Sequence, residues 1–301
     1  MKGLLIGSGS LISIVALLAM YWWNPNEQLM QENKLSPNFK THWNDGKAEL
    51  SSYNLKQARY GEIYDGEAVM IFVTEPFSKS KQVKLDDYRN EKDKVDVLKL
   101  NAVRKFDTGI YPYSTMVSVF SPLEGNTQFL KTTTSVQEWC GHVFMQINRK
   151  GQKLKYEWRS YFESEGDKET TINYALAEDE IWNLIRINPD LLPQGEIQVV
   201  PSSLFLRLKH HQPQVVAAKA ELKKVTAEAF SPTEVFQYQV TYQQPEKRTL
   251  SVYFEPAFPH RILGWEEIGR QTTTAKLHKS IRLDYWAKHD VVDSKLKALL
   301  W

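Results

Sequence analysis

Residues 235–254, VFQYQVTYQQPEKRTLSVYF, decide the fold. Phe236, Tyr238, Val240 and Tyr242 alternate with Gln237, Gln239 and Thr241. That period of two puts the large side chains on one face of a strand and the polar ones on the other. Gln244-Pro245-Glu246 interrupts the pattern as a turn, and Thr249–Phe254 resumes it. Two alternating runs across a short polar break read as an antiparallel pair.

Working outward, Ile262–Ile268 and Lys276–Trp286 read as further strands, and the tail from Asp290 to Trp301 as a short helix. Towards the N-terminus, Ala217–Lys223 and Leu204–Leu208 also read as strands. Asp179–Ile187 is the best helix beyond the N-terminal segment, with Ile181, Leu184 and Ile185 at helical spacing and Pro189 as its stop. Before it lie Gln57–Tyr64 and Glu67–Thr74 around an Asp65-Gly66 turn, then Val95–Leu100, Val103–Phe106 and Met116–Phe120. Thr132–Ile147 reads as one long strand, joined to Leu154–Glu163 by a turn over Arg149-Lys150-Gly151-Gln152. So many strands at short spacing argue against a parallel βαβ architecture. The expected fold is mainly β: one large curved antiparallel sheet or open half-barrel with a central helix, plus an N-terminal transmembrane helix.

The transmembrane expectation rests on Gly3–Trp23, which carries no charged side chain and just reaches the length that spans a bilayer. Lys2 precedes it, and Tyr21, Trp22 and Trp23 close it where an interfacial aromatic belt sits. An uncleaved anchor and a cleaved signal peptide both place the body outside the cytoplasm. The localisation implied is a bacterial inner membrane, single-pass, with the body in the periplasm. Residues 1–23 are then anchor or signal, 24–41 a linker with Pro25 and Pro37, and 42–301 the β-rich body, with a sub-boundary near 189–203. A formal charge of +2 in 301 residues offers no field for nucleic acid. The single cysteine excludes an intramolecular disulfide.

On the strand reading of Thr132–Ile147, Glu138, Cys140 and His142 share one face. A thiol, an imidazole and an orienting carboxylate in that order are the makings of a nucleophile. The plain alternative is a small apolar cysteine between polar neighbours. Tyr111, Tyr113, Trp139, Tyr156 and Trp158 form an aromatic stripe suited to lining an apolar ligand cavity, or to filling a core. His210-His211, the acidic group Glu163, Glu165 and Asp167, and Glu266-Glu267 read as surface features. Adjacent strand residues point to opposite faces and do not act together. No zinc-type spacing, phosphate loop, nucleophile elbow or dinucleotide fingerprint occurs, so no metal or cofactor is expected.

Several strings look familiar together: 43–53 (WNDGKAELSSY), 57–63 (QARYGEI), 75–85 (EPFSKSKQVKL), 109–114 (GIYPYS), 134–142 (TSVQEWCGH) and 160–167 (SYFESEGD). They resemble an uncharacterised family of bacterial envelope proteins, many of them lipoproteins. Some members bear the name septum formation inhibitor Maf, although the Ser-x-Ser-Pro-Arg-Arg opening of Maf pyrophosphatases is absent here. In pattern, Ala218 to Ile268 is similar to the half-barrels of periplasmic lipoprotein carriers, which implies a concave apolar face holding acyl chains. Three functions stay open on the sequence. The first is a membrane-tethered envelope protein, not an enzyme, binding a lipid or acyl chain. The second is a structural or assembly partner of other envelope proteins. The third is an enzyme using Cys140 and His142.

Overall fold

A computed structural model describes residues 35–301, apart from 88, 90, 126 and 127. The expected transmembrane segment lies outside the described residues. Among those described, no helix is long and apolar enough to cross a membrane.

A short helix, α1 (Phe39–Trp43), leads into β1 (Ala48–Arg59), β2 (Glu62–Ser78), β3 (Lys94–Thr108) and β4 (Tyr111–Pro122). These are followed by β5 (Lys131–Glu138), β6 (Gly141–Lys150), β7 (Lys153–Arg159) and β8 (Asp167–Asn173). After β9 (Leu176–Ala177) comes a 3-10 turn over Glu178–Glu180 and then α2 (Ile181–Ile187). The second half holds β10 (Gly195–Val200), α3 (Ser203–Lys209), β11 (Val216–Thr226), β12 (Glu234–Tyr242), β13 (Arg248–Phe254), β14 (Ile262–Ile268) and β15 (Thr272–Leu283). A 3-10 tail, Val291–Leu299, ends the chain.

All 15 strands belong to one sheet, in the order β8-β7-β6-β5-β4-β3-β2-β1-β15-β14-β13-β12-β11-β10-β9. Every neighbouring pair is antiparallel except β9 with β10. The two edges of the sheet, β8 and β9, are consecutive in the chain, joined by Tyr174 and Ala175. Three virtual bonds of about 3.8 Å hold Asn173 and Leu176 within about 11 Å. The sheet must therefore curl until its edges meet, which gives the open, curved, barrel-like form.

The concave interior is filled by the chain itself. α2 packs against β3, and α3 against β4 and β5. Trp182 of α2 meets Trp265 of β14 edge-on at 5.4 Å between ring centroids, and Tyr53 meets the same indole at 5.0 Å. The interior is also threaded with polar anchors. Asn183 donates from Nδ2 to the Leu98 carbonyl at 3.0 Å and to Ser121 Oγ at 2.9 Å. Arg186, fully buried, donates twice to Glu49, at 2.7 and 2.6 Å, with its guanidinium over Trp43 and Phe72. A guanidinium fork on a carboxylate fixes angle as well as distance, so α2 is held in one orientation relative to β1.

Three sequence expectations need correction. The first hairpin turns at Tyr60-Gly61, both at positive φ, with Arg59 opposite Glu62. Asp65-Gly66 lies inside β2. Gly66 is there for space, since a Cβ would stand 2.5 Å from the Lys105 carbonyl oxygen and 2.8 Å from Phe106 Cβ. Thr132–Ile147 is two strands, with the turn at Trp139-Cys140. The buried positions betray it: Thr132, Thr134 and Val136 are even-numbered, whereas Val143, Met145 and Ile147 are odd. One strand keeps a single parity, so a turn must intervene. Leu204–Leu208 belongs to helix α3, not to a strand. Its first turn is satisfied from outside, because Asp179 accepts from the Ser203 N–H at 3.0 Å and from Ser203 Oγ at 2.5 Å. A carboxylate at a helix start answers unpaired N–H groups and the local dipole.

Candidate functional site

Strand direction places the β1–β2, β3–β4, β5–β6 and β14–β15 turns, the β7–β8 loop and α3 at one end of the sheet. This is the rim end. A cavity of about 270 Å³ opens there between the end of β1, helix α3 and the β14–β15 turn. Its apolar wall is Ala58, Leu204, Phe205, Leu208 and Ile268. At its base a void of about 30 Å³ shares Arg104, Glu178, Ser202, Leu204 and Glu267, and leads on to Met70, Leu100 and Trp265.

The polar wall is unusually charged for a place this enclosed. Arg104 reaches Glu267 at 2.6 Å and Gln57 at 3.3 Å, its guanidinium lying over Trp265. Arg248, 6% exposed, pairs with Glu178, which also accepts from Tyr242 Oη at 2.6 Å. Burial pulls the Arg248 guanidinium down to about 10, and Phe205 and Tyr242 sandwich it at 4.1 and 4.2 Å. Lys209 pairs with Glu246 at 3.2 Å. Arg59 and Arg270 line the same cavity, and among the described residues neither forms an ion pair with a carboxylate. Arg59 is instead steadied by neutral groups. It donates to the Leu208 carbonyl and, at 3.3 Å each, to the hydroxyls of Tyr60 and Tyr113. The Tyr60 ring supports it from 4.3 Å.

Alternation leaves a trace of this site. Arg248 opens a β13 run whose following residues are apolar or small, and Arg59 ends β1 beside the turn. Nothing in either string marks these arginines as neighbours, because β1 meets β15 and β14 through a pairing between segments more than 200 residues apart, and α3 is laid over them from the far end of β10.

The expected nucleophile does not assemble. Cys140 sits in the exposed turn between β5 and β6, and its backbone N–H donates to Glu138 Oε2 at 2.6 Å. The hydrogen bond between the thiol and the Glu138 carboxylate, with minor burial, pushes the Cys140 pKa up, the opposite of activation. His142 begins the next strand opposite Gln137, exposed. The physical reason is the turn, which ends the common face that one strand would have supplied.

The aromatic stripe divides. Tyr113, Tyr156 and Trp158 are core, 3%, 0% and 4% exposed, and Tyr113 also reaches the rim. Tyr111, Tyr113 and Trp139 join a chain of rings along the rim. Tyr60–Tyr113, Tyr111–Tyr113 and Tyr111–Trp139 centroids lie 6.5, 5.9 and 6.3 Å apart. Tyr161 continues the rim by packing over Gly141, where a Cβ would come 2.6 Å from its ring. None of the five stripe residues lines the 270 Å³ cavity, although Tyr113 braces Arg59 at its edge. Of the remaining expectations, Glu165 is buried rather than a free surface acid. It accepts from Ser160 Oγ at 2.5 Å and meets His210 Nδ1 at 2.6 Å, tying the β7–β8 loop to the end of α3. Glu266 and Glu267 do face apart, to Tyr253 and Arg104 respectively. No cluster of metal-ligating side chains occurs among the described residues.

The fold and its end cavity define a mainly β protein with an open, curved, barrel-like sheet. No protein-family model matches the chain, and no curated protein matches it. Among solved structures it is similar to a crystal structure described as a beta-barrel-like protein of the domain of unknown function DUF1849 from Brucella abortus. The TM-score is 0.47 and the identity 10%, covering 78% of this chain and 97% of that one.

Proposed function

We propose that this is an extracytoplasmic binding protein, tethered through Gly3–Trp23 to a bacterial inner membrane, that holds one apolar or amphiphilic chain at the rim end of its sheet. The observation that carries the proposal is the cavity of about 270 Å³, which sets the leucine and phenylalanine face of α3 opposite β1 and the β14–β15 turn. Its volume lies just below the roughly 300–1,000 Å³ usual for small-molecule pockets. That suits a single chain and leaves no room for a two-chain lipid. The concave face itself is unavailable, because α2 and α3 occupy it. The site therefore differs from the open apolar trough of a lipoprotein carrier.

The test is native mass spectrometry of the full-length protein, with displacement of a fluorescent fatty acid as the titration. Leu208→Trp fills the cavity from α3 and is expected to abolish probe binding with the thermal midpoint kept. A wild-type protein that carries no ligand and binds no apolar probe refutes the proposal.

A second reading, docking onto another envelope protein, is favoured by one observation. Tyr60, Ile110, Trp139 and Tyr161 are 59%, 85%, 69% and 64% exposed at four successive turns of the rim. Photo-crosslinking from position 139 in membranes tests it, and a crosslink-free lane counts against it.

A further inference from the structure

Two cations at the rim cavity have no carboxylate partner among the described residues. Its lining holds five cationic side chains against three carboxylates. Arg104, Arg248 and Lys209 account for the three carboxylates pairwise, which leaves Arg59 and Arg270 as the excess. Arg270 stands exposed on the β14–β15 turn, where water solvates it. Arg59 is half-buried, and a partly desolvated guanidinium without a counter-charge is costly.

The surroundings of Arg59 hold it in place without neutralising it. Its partners are one carbonyl and two phenol oxygens, and its Nε is buried with no acceptor among the described residues. The Nε of Arg248, on a residue more than nine-tenths buried in the same lining, also has no acceptor. Arg59 and Arg248 thus bring guanidinium charge to a cavity whose other wall is Leu204, Phe205, Leu208 and Ile268.

We infer that the ligand is a single-chain amphiphile with an anionic oxygen headgroup, a carboxylate or a phosphate. Arg59 and Arg270 receive the headgroup at the rim, and the chain lies along α3. This rests on the amphiphile reading above and adds the chemistry of the headgroup. A guanidinium suits such a group because its N–H donors match two oxygens at once. The division of labour follows from exposure: Arg270 meets the anion from solvent, and Arg59 holds it where water is scarce and the attraction is stronger.

The experiment uses the full-length chain in nanodiscs of neutral lipid, with displacement of a fluorescent fatty-acid probe. Dodecanoate, dodecyl phosphate and dodecan-1-ol are compared, with acetate and inorganic phosphate as chainless anions. The expected result is that at least one dodecyl anion binds about tenfold or more tighter than the alcohol, the order of one charge-assisted hydrogen bond. Which of the two anions wins identifies the headgroup. Arg59→Gln is expected to erase the preference by weakening the anion while leaving the alcohol unchanged, and Arg59→Lys to restore part of it. Arg270→Gln, at an exposed turn, is expected to fold normally and to reduce the preference and its salt dependence.

Equal binding of anion and alcohol to the wild type overturns the headgroup inference and leaves the amphiphile reading standing. Binding of no dodecyl compound overturns both. Acetate or phosphate competing as well as the dodecyl anions removes the chain and keeps only an anion site, which overturns the inference as stated. A preference unchanged in both Arg59→Gln and Arg270→Gln overturns the assignment to these residues.

Discussion

Replacing Arg186 by Met is the sharpest test of how the interior is held. The side chain is fully buried in α2, and its charge is answered by Glu49 of β1, itself 3% exposed. Met keeps much of the volume but strands the carboxylate, leaving it His42, 3.8 Å away, and the Ser51 hydroxyl, 3.4 Å away, as partners. Removing one member of a buried pair costs about 3–5 kcal/mol. The protonation behaviour of Glu49 gives a second figure. Although burial opposes ionisation, Arg186 chiefly and His42 hold its carboxyl down at about 2, from an ordinary 4.5. At about 1.4 kcal/mol per pH unit, that depression is worth about 3 kcal/mol. Because the folded value lies below the unfolded one, the stabilisation is complete above about pH 4.5 and is lost as pH falls towards 2. Urea unfolding at pH 7, followed by tryptophan fluorescence, should therefore show Arg186→Met less stable by about 3–5 kcal/mol. Glu49→Leu combined with Arg186→Met removes both charges and should recover most of that loss. A single variant costing under about 1 kcal/mol, or a double variant no better than the single, refutes the view that the pair fixes α2 in the sheet.

Glu180 should behave in the opposite sense to Glu49. Burial raises its carboxyl to about 7, against hydrogen bonds from Ala177, Phe129 and Tyr174. Wild-type stability should then fall as pH rises from 4.5 through 7, and Glu180→Gln should flatten that slope in urea titrations while costing about 1–3 kcal/mol for the donor it now turns away. Gly66→Val should lower the thermal midpoint sharply or prevent folding, since the Lys105 carbonyl cannot move without breaking the β2–β3 ladder, whereas Gly61→Asn, where space is open and only the positive φ resists a side chain, should cost about 1 kcal/mol. Cys140, with its thiol pushed up by Glu138, should react with iodoacetamide at pH 7 more slowly than a free thiol. Cys140→Ser should change stability by less than about 0.5 kcal/mol; fast alkylation at neutral pH would revive a nucleophile.

Alternation made the β class legible, and it is most faithful where one face is buried and the other wet. β11 is such a strand, with Val216, Ala218 and Ala220 inside and Ala217 and Lys219 exposed; β12 keeps Tyr238, Val240 and Tyr242 inside but buries Val235 and Gln237 on its other face as well. Turns were less legible because two signals competed. Asp65-Gly66 has the composition of a tight hairpin, but its glycine answers a close approach by β3, while the actual turn sits at Tyr60-Gly61. α3 was misread because Leu204, Leu206 and Leu208 alternate like a strand. What makes it a helix is a distant carboxylate, Asp179, and no local pattern reports that. The edge strand β8, with polar and half-exposed residues throughout, carries no apolar alternation to detect. The cavity escaped for the same reason as α3. Arg59, Arg104, Arg248 and Arg270 are far apart in sequence, and ordinary strand arginines are solvated.

The order of strands has a consequence for how such a sheet is wired. Read from one edge to the other, β10 to β15 and then β1 to β8 follow one another as in an up-and-down meander, with β9 added parallel at the edge beside β10. The interruption is at the middle, where β15 lies beside β1 and the last described residues fold over the pair, with Ser52 donating to the Leu300 carbonyl at 2.5 Å. At the centre of the sheet β1 and β15 are thus joined by pairing, while the covalent link between β8 and β9 lies at the edges. Tyr174-Ala175 takes the place that hydrogen bonds hold in a closed barrel. A main-chain link tolerates changes of distance and angle that a ladder of hydrogen bonds does not, so this corner is where the ring can widen without losing a single strand pairing.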